Sequence, residues 1–340
     1  MSRRCTENGP VSDSAFSVEV YQNPYLPAGQ RGVSAVVSVT APTTIAEPAG
    51  SKQAAEVIIL DCSRSMDYPP AKMAEVRLAT AAAVDLIPDG VLFAIIAGTS
   101  RAWPVYPADG TMAVANERTR AKAKDAVSRL RANGGTAIGQ WLRLAHQVFQ
   151  SCPATLRHAI LLADGANQHE TAEQLDAAIA LCAGTFSCDC RGVGTDWRVS
   201  ELRKISTALL GTLDIVPEPS GLAAEFEELM RNSLSKRLPD VALRIWTPGT
   251  VVPKFVRQVA PALAAMSGRP VPSDAQARNY PTGAWSPGEN RDYHMDFQVT
   301  ASGTGEEMIA ARVSVVASSP GHEQVLGQGV IRVIWTGEGP

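Results

Sequence analysis

The chain has 340 residues, 45% of them hydrophobic and 19% charged, with a formal net charge of −3. That length favours two domains over one core, and the near balance of charge excludes the basic footprint of a nucleic-acid or anionic-membrane binder. No run approaches the ~18–20 apolar residues that span a bilayer, so neither nucleic acid nor a membrane is an expected partner.

In chain order, residues 16–20 and 33–40 come first. They alternate apolar and polar positions, as in Val33-Ser34-Ala35-Val36-Val37-Ser38-Val39, the pattern of half-buried strands. The run Val57-Ile58-Ile59-Leu60 is different. Four consecutive large apolar residues predict a central strand over 56–60, covered on both faces. An Ala-rich helix over 71–87 follows, stopped by Pro88-Asp89-Gly90, and then a strand over 91–97. Pro104 makes 102–106 an edge strand. Helices are predicted over 113–131 and 137–151, separated by a Gly-Gly-Thr loop. A strand over 159–163, a helix over 171–183, a strand over 186–193, a helix over 199–209 and a strand over 212–216 continue the rhythm. A helix over 222–238 closes it, with Leu222, Phe226, Leu229, Met230 and Leu234 at helical spacing. Strand and helix in alternation imply a doubly wound, mostly parallel sheet with helices on both faces.

After Pro239 the helices stop. Strands are predicted over 241–246, 254–259, 293–300, 308–316 and 325–335, and the Pro-, Ala-, Ser- and Gly-rich stretch 261–287 is expected to hold a long loop. Too few strands precede residue 50 to form a domain alone. Both flanks are therefore expected to join in one antiparallel β-sandwich, with the α/β domain inserted between its strands. The predicted boundaries are 1–50, 51–238 and 239–340. The alternative is a loose N-terminal arm and a separate C-terminal β domain.

The chemistry concentrates where the central strand ends, at Asp61-Cys62-Ser63-Arg64-Ser65. Residues i, i+2 and i+4 of an extended segment point the same way, so a carboxylate and two hydroxyls converge while Cys62 turns aside. An all-oxygen cluster suits Mg²⁺ or Mn²⁺ rather than zinc. Two further segments stand out. Asn133-Gly134-Gly135-Thr136 carries a hydroxyl on a glycine-rich loop that opens a helix, and Ile160-Leu161-Leu162-Ala163-Asp164-Gly165 is a second buried strand ending in Asp-Gly.

Asp-x-Ser-x-Ser, Gly-Gly-Thr and an apolar strand ending in Asp-Gly, in that order, resemble the von Willebrand factor type A family over roughly residues 55–237. The resemblance implies a metal-ion-dependent adhesion site whose ligands are Asp61, Ser63, Ser65, Thr136 and Asp164. Two carboxylates only just neutralise a dication, and the site stays electrophilic. In the family, an acidic side chain of the ligand often completes the coordination. The expected function is thus a non-enzymatic, Mg²⁺-dependent adaptor that captures an Asp or Glu of a protein partner. Alternatives are an accessory subunit of a separate AAA+ ATPase, or a metal-dependent hydrolase. A hydrolase needs a general base beside the metal, for which only His169 or Asp67 offers itself. The family's last helix, here 222–238, can shift on ligand binding.

Other features read more simply. Arg64, Asp67, Tyr68, Gln168 and His169 lie on loops expected near the metal and could select a partner. Arg118, Arg120, Lys122, Lys124, Arg129 and Arg131 form a solvated helix face. The segment 192–197 ends a strand rather than cradling phosphate. Trp141, Trp246 and Trp335 are expected in cores. Cys182, Cys188 and Cys190 lack zinc-site spacing and read, like Cys5, Cys62 and Cys152, as free thiols. The polar N-terminus predicts a cytoplasmic protein, and the excess of Arg over Lys with abundant Ala suggests a GC-rich bacterial source.

Overall fold

The run Val57–Leu60 splits its side chains between two cores in the computed structural model, which describes residues 15–45, 54–164, 166–194, 199–319 and 322–337. Ala55, Val57 and Ile59 enter one apolar cluster, whereas Ile58, Leu60 and Cys62 enter another on the opposite side of the sheet. That is the two-residue period of a strand covered on both faces. The strand, Ala54–Asp61, sits in the middle of a seven-stranded sheet. It pairs in parallel with Leu92–Gly98 on one side and Leu156–Ala163 on the other. Ser187–Val193 and Leu213–Val216 extend the parallel part. Ala102–Tyr106 forms the antiparallel edge where Pro104 had placed it.

Helices cover both faces. Residues from Ala71–Leu86, Glu117–Ser128 and Leu222–Ser235 fill the cluster with Ile58 and Leu60. Ile138–Gln150, Ala172–Cys182 and Val199–Ala208 fill the other. From Ala54–Asp61 the chain first builds outward through Leu92–Gly98, then returns to add Leu156–Ala163 on the opposite side. The crevice at this reversal, beyond the carboxyl ends of the strands, is where open α/β sheets bind ligands.

The chain divides into two compact units, Pro48–Ser235 and a second made of the residues up to Glu47 with those from Lys236 onward. The second unit is a two-sheet sandwich to which both flanks contribute. In one sheet, Ser17–Gln22 and Gly32–Thr40 run antiparallel beside Asn290–Val299 and Val251–Ala260, with Ala264–Ala265 at the edge. The other sheet orders Arg269–Val271, Asp274–Trp285, Leu238–Trp246, Glu307–Ser319, His322–Thr336 and Tyr25–Pro27, the last pair parallel. Val33, Ala35, Val37 and Val39 alternate into a common core with Tyr293, Met295, Phe297, Val313, Val315 and Trp335.

Several expectations need correction. The stretch 261–287 is not a long loop but contains Ala264–Ala265, Arg269–Val271 and the twelve-residue strand Asp274–Trp285. Pro281 and Gly283 disguise that strand, and bulges absorb them opposite Val241 and its neighbours. Arg291 stacks 4.2 Å from the Trp285 ring and donates to the carbonyls of Thr282 and Ala284, fastening the irregular stretch. Helix 113–131 shrinks to Glu117–Ser128, because Asn116 and Thr119 form a capping box and Ala113–Val114 pairs with the sheet. The last helix ends at Ser235, and Leu238 already begins a strand. Trp141 and Trp335 are buried as expected, but Trp246 is half-buried on an outer face with Arg312 over its ring. The thiols of Cys62, Cys152, Cys182, Cys188 and Cys190 are free and buried. Cys5, Gly165 and residues 195–197 lie outside the described residues. No helix among those described is long and apolar enough to cross a membrane.

At the amino end of the parallel strands, His158 bridges two carboxylates, 2.7 Å from Glu56 Oε2 and 3.0 Å from Asp189 Oδ2. Ser233 of the last helix donates to the other oxygen of Glu56 at 2.5 Å. Burial by itself would depress the imidazolium, yet the charges and hydrogen bonds of Glu56 and Asp189 push His158 up to about 10. Asp189 is held well below the usual carboxylate range: burial opposes its charge, but His158 and Thr212 overcome that opposition. Because the folded value of His158 lies above its ordinary 6.5, its stabilisation is complete below that pH and vanishes as pH rises through about 10. His158→Gln would leave two buried carboxylates without a cation and should cost about 3 kcal/mol at neutral pH. Urea unfolding checks this, and the gap to wild type should narrow above about pH 10.

Candidate metal centre

Asp61 is the last residue of its strand, and its carboxylate organises the turn that follows. Oδ1 accepts the backbone N–H of Ser63 at 2.7 Å, an Asx-type turn. Oδ2 accepts the backbone N–H of Asp164 at 3.2 Å, tying the ends of two neighbouring parallel strands together. The Ser63 and Ser65 hydroxyls lie 2.9 Å apart, and Ser65 donates to Asp164 Oδ1 at 2.5 Å. The Ser63 hydroxyl stands 3.5 Å from the same oxygen. Asp61, Ser63, Ser65 and Asp164 therefore form one connected cluster. Both carboxylates are fully buried.

Thr136 joins this group through backbone bonds between loops. The Arg64 N–H donates to Gly134 O at 2.9 Å and the Asn133 N–H to Cys62 O at 2.8 Å, so the Gly-Gly-Thr loop is laced to the turn after Asp61. The Thr136 carbonyl accepts the N–H groups of Gln168 and His169 at 3.1 and 2.9 Å, which binds it to the loop after Asp164. Gly134 has φ +90°, a conformation that favours glycine. At Gly135 a Cβ would fall 2.0 Å from the His169 ring, so the ring's seat needs glycine there. Thr136 itself is buried.

The loop after Asp164 also caps the helix that Thr136 leads into. Ala137 offers no side-chain cap to Ile138–Gln150. Two of the helix's orphan N–H groups go elsewhere, Ile138 N–H to Asn167 Oδ1 at 2.9 Å and Gly139 N–H to Glu170 Oε1 at 2.5 Å, and just ahead of the helix the Thr136 N–H donates to His169 Nδ1 at 3.1 Å. Glu201 Oε2 in turn accepts the Asn167 N–H at 3.1 Å. Asn167 and Glu170 escaped the sequence reading because they cap a helix some thirty residues before them in the chain. Of the loop residues expected nearby, His169 accepts the Thr136 N–H, and Gln168 contributes its backbone. Arg64, Asp67 and Tyr68 are exposed, Tyr68 at 82%.

A further residue was not anticipated at all. Lys72, in the first turn of Ala71–Leu86, is buried and places Nζ 2.8 Å from Asp164 Oδ2 and 3.3 Å from Ser65 O. The only signal in the sequence was a lysine just after Pro69-Pro70, seven residues past Ser65.

The donor set fits a hard divalent cation. Burial, and next the charge of Asp164, push Asp61 up to about 7. Carboxylates crowded in this way favour a cation between them. Among the described residues no group of three or more His, Cys, Asp and Glu side chains forms a cage. What converges instead is carboxylate and hydroxyl oxygen, the ligand chemistry of Mg²⁺-like ions rather than of thiolate- or imidazole-bound zinc.

Comparison with known proteins agrees with this architecture. Residues 55–215 match the family described as von Willebrand factor type A domain. The chain superposes with a TM-score of 0.89 on the solved von Willebrand factor type A protein from Catenulispora acidiphila, at 44% identity, covering 98% of this chain and 76% of that one. The chain belongs to the von Willebrand factor type A family. The fold of nearly the whole chain recurs in the ArnB paralog VWA2 from Sulfolobus acidocaldarius, with a TM-score of 0.56 at 12% identity, covering 95% of this chain and 76% of that one. An uncharacterized protein of Synechocystis is 28% identical over 183 residues, which cover 51% of this chain and 40% of that protein.

Asn167→Ala removes a cap from outside the helix it serves, and should lower stability by about 1 kcal/mol in urea unfolding. Amide exchange at Ile138 should speed up in the same variant.

Proposed function

We propose that the chain is a non-catalytic protein-binding module that grips an Asp or Glu of a partner through Mg²⁺ or Mn²⁺. The observation that carries this reading is the meeting of the Asp61, Ser63, Ser65 and Asp164 oxygens in one cluster at the topological switch point. Thr136 is laced beside them by the loop bonds. These five residues would hold the ion, which when bound supplies a Lewis-acidic position for an incoming carboxylate. The chain's own residues do the rest. Asp61 orients the serine turn, the loop after Asp164 holds Thr136 in place, and exposed Arg64, Asp67 and Tyr68 border the approach. His169 is engaged with the Thr136 N–H through Nδ1, which argues for a positioning role over that of a general base. The β-sandwich would present this face or offer a second docking surface. A cytoplasmic location accords with the expected use of buried free thiols.

The test is an affinity capture from lysate of the source cell with Mg²⁺ or with EDTA, using wild type, Asp61→Ala and Thr136→Ala. A protein retained by wild type only in Mg²⁺, and lost at least tenfold in both variants, is the expected result. Equal recovery in every arm, with folded variants, would sink the proposal. Calorimetric titration of the purified chain with Mn²⁺ should show one site in the wild type and none in Asp61→Ala.

A further inference from the structure

Lysine is among the residues least often buried, and where it is buried it is paired. Lys72 is 5% exposed and its partner is Asp164, fully buried. Its position is also unfavourable for its own helix. An ammonium in the first turn faces the positive end of the helix dipole, and no acidic residue stands in that turn of Ala71–Leu86 to offset it. The helix does not need a cation there, so the reason for one lies across the gap, at Asp164.

The consequence is one of charge. Without Lys72, a dication between Asp61 and Asp164 would sit in a formally neutral site. With the ammonium held 2.8 Å from Asp164 Oδ2, the same site keeps one formal positive charge when loaded. The geometry divides Asp164 between two uses. Oδ2 belongs to Lys72, and Oδ1, which accepts from Ser65, faces the hydroxyl cluster. We infer that Lys72 is a specificity-determining residue of this face. It weakens the hold on the ion and leaves the loaded site positive, so that an anionic ligand is needed to complete it. The inference rests on the metal-binding reading of the cluster.

Electrostatic attraction between fixed charges at such short range is strong in a buried setting, so removing one should be easy to read. The experiment is calorimetric titration of wild type, Lys72→Met, Lys72→Gln and Lys72→Arg with Mn²⁺, each first shown to be folded by circular dichroism in EDTA. Both neutral variants should bind Mn²⁺ at least tenfold more tightly than wild type, while Lys72→Arg stays near wild type. In a second step, acetate is titrated into each Mn²⁺-loaded protein and the Mn²⁺ paramagnetic resonance spectrum followed. Wild type should respond at lower acetate concentration than either neutral variant. A lysine that only stabilised the fold would leave Mn²⁺ affinity unmoved, and equal affinities in wild type and a folded neutral variant would overturn the inference while leaving the metal site intact. No response to acetate in any protein would overturn its anion-selecting half. Absence of Mn²⁺ binding in wild type itself would defeat the metal-site reading, and this inference with it.

Discussion

The arrangement rests on two carboxylates buried at the ends of adjacent parallel strands. Asp61 and Asp164 stand where Ala54–Asp61 and Leu156–Ala163 leave the sheet, in register from Ala54 with Leu156 to Leu60 with Leu162. Placing like charges together in a buried site is costly, and everything around them reduces that cost. The Ser63 and Asp164 N–H groups neutralise part of Asp61, the Ser65 hydroxyl and Lys72 ammonium answer Asp164, and a divalent ion is the natural remaining counter-charge. The site is thus held ready by the same groups that make its burial tolerable.

The bonding extends outward through main-chain N–H and C=O groups, met by other main-chain groups and by side chains. Three loops meet: the serine turn, the Gly-Gly-Thr loop and the segment after Asp164. Each pair is joined by at least one hydrogen bond to a main-chain group. His169, Asn167 and Glu170 bond to the N–H groups of Thr136, Ile138 and Gly139, which joins the Gly-Gly-Thr loop and its helix to the segment after Asp164.

The opposite end of the sheet carries its own buried charge group. Glu56 stands near the start of the strand that Asp61 ends, and it bonds both to His158 and to Ser233 of the last helix. The last helix is thereby fastened at its carboxyl end to the central strand, while Leu222, Phe226, Leu229 and Met230 pack its length into the core. Polar anchors at one end and apolar packing along the length set its position by two different kinds of force.

Much of this was legible from one-dimensional pattern. The apolar run Val57–Leu60 and the alternation in Val33–Val39 specified the two kinds of strand. Asp61, Ser63 and Ser65 are close in sequence, but the strand ends at Asp61 and Arg64–Asp67 is a 3-10 turn, so the turn and the Ser65 bond to Asp164, not an extended period, complete their convergence. Strand Asp274–Trp285 was hidden, since its pairing with Leu238–Trp246 depends on bulges that local propensity does not encode. Lys72, Asn167 and Glu170 were hidden for a related reason. Their partners Asp164, Ile138 and Gly139 lie tens of residues away, and only the folded sheet brings them together. The sequence by itself determined the strand–helix alternation of the central sheet and which oxygen-bearing residues follow its central strand, because those depend on neighbours in the chain. Tertiary structure alone decided the counter-charge and the caps, because electrostatics and hydrogen bonding act through space.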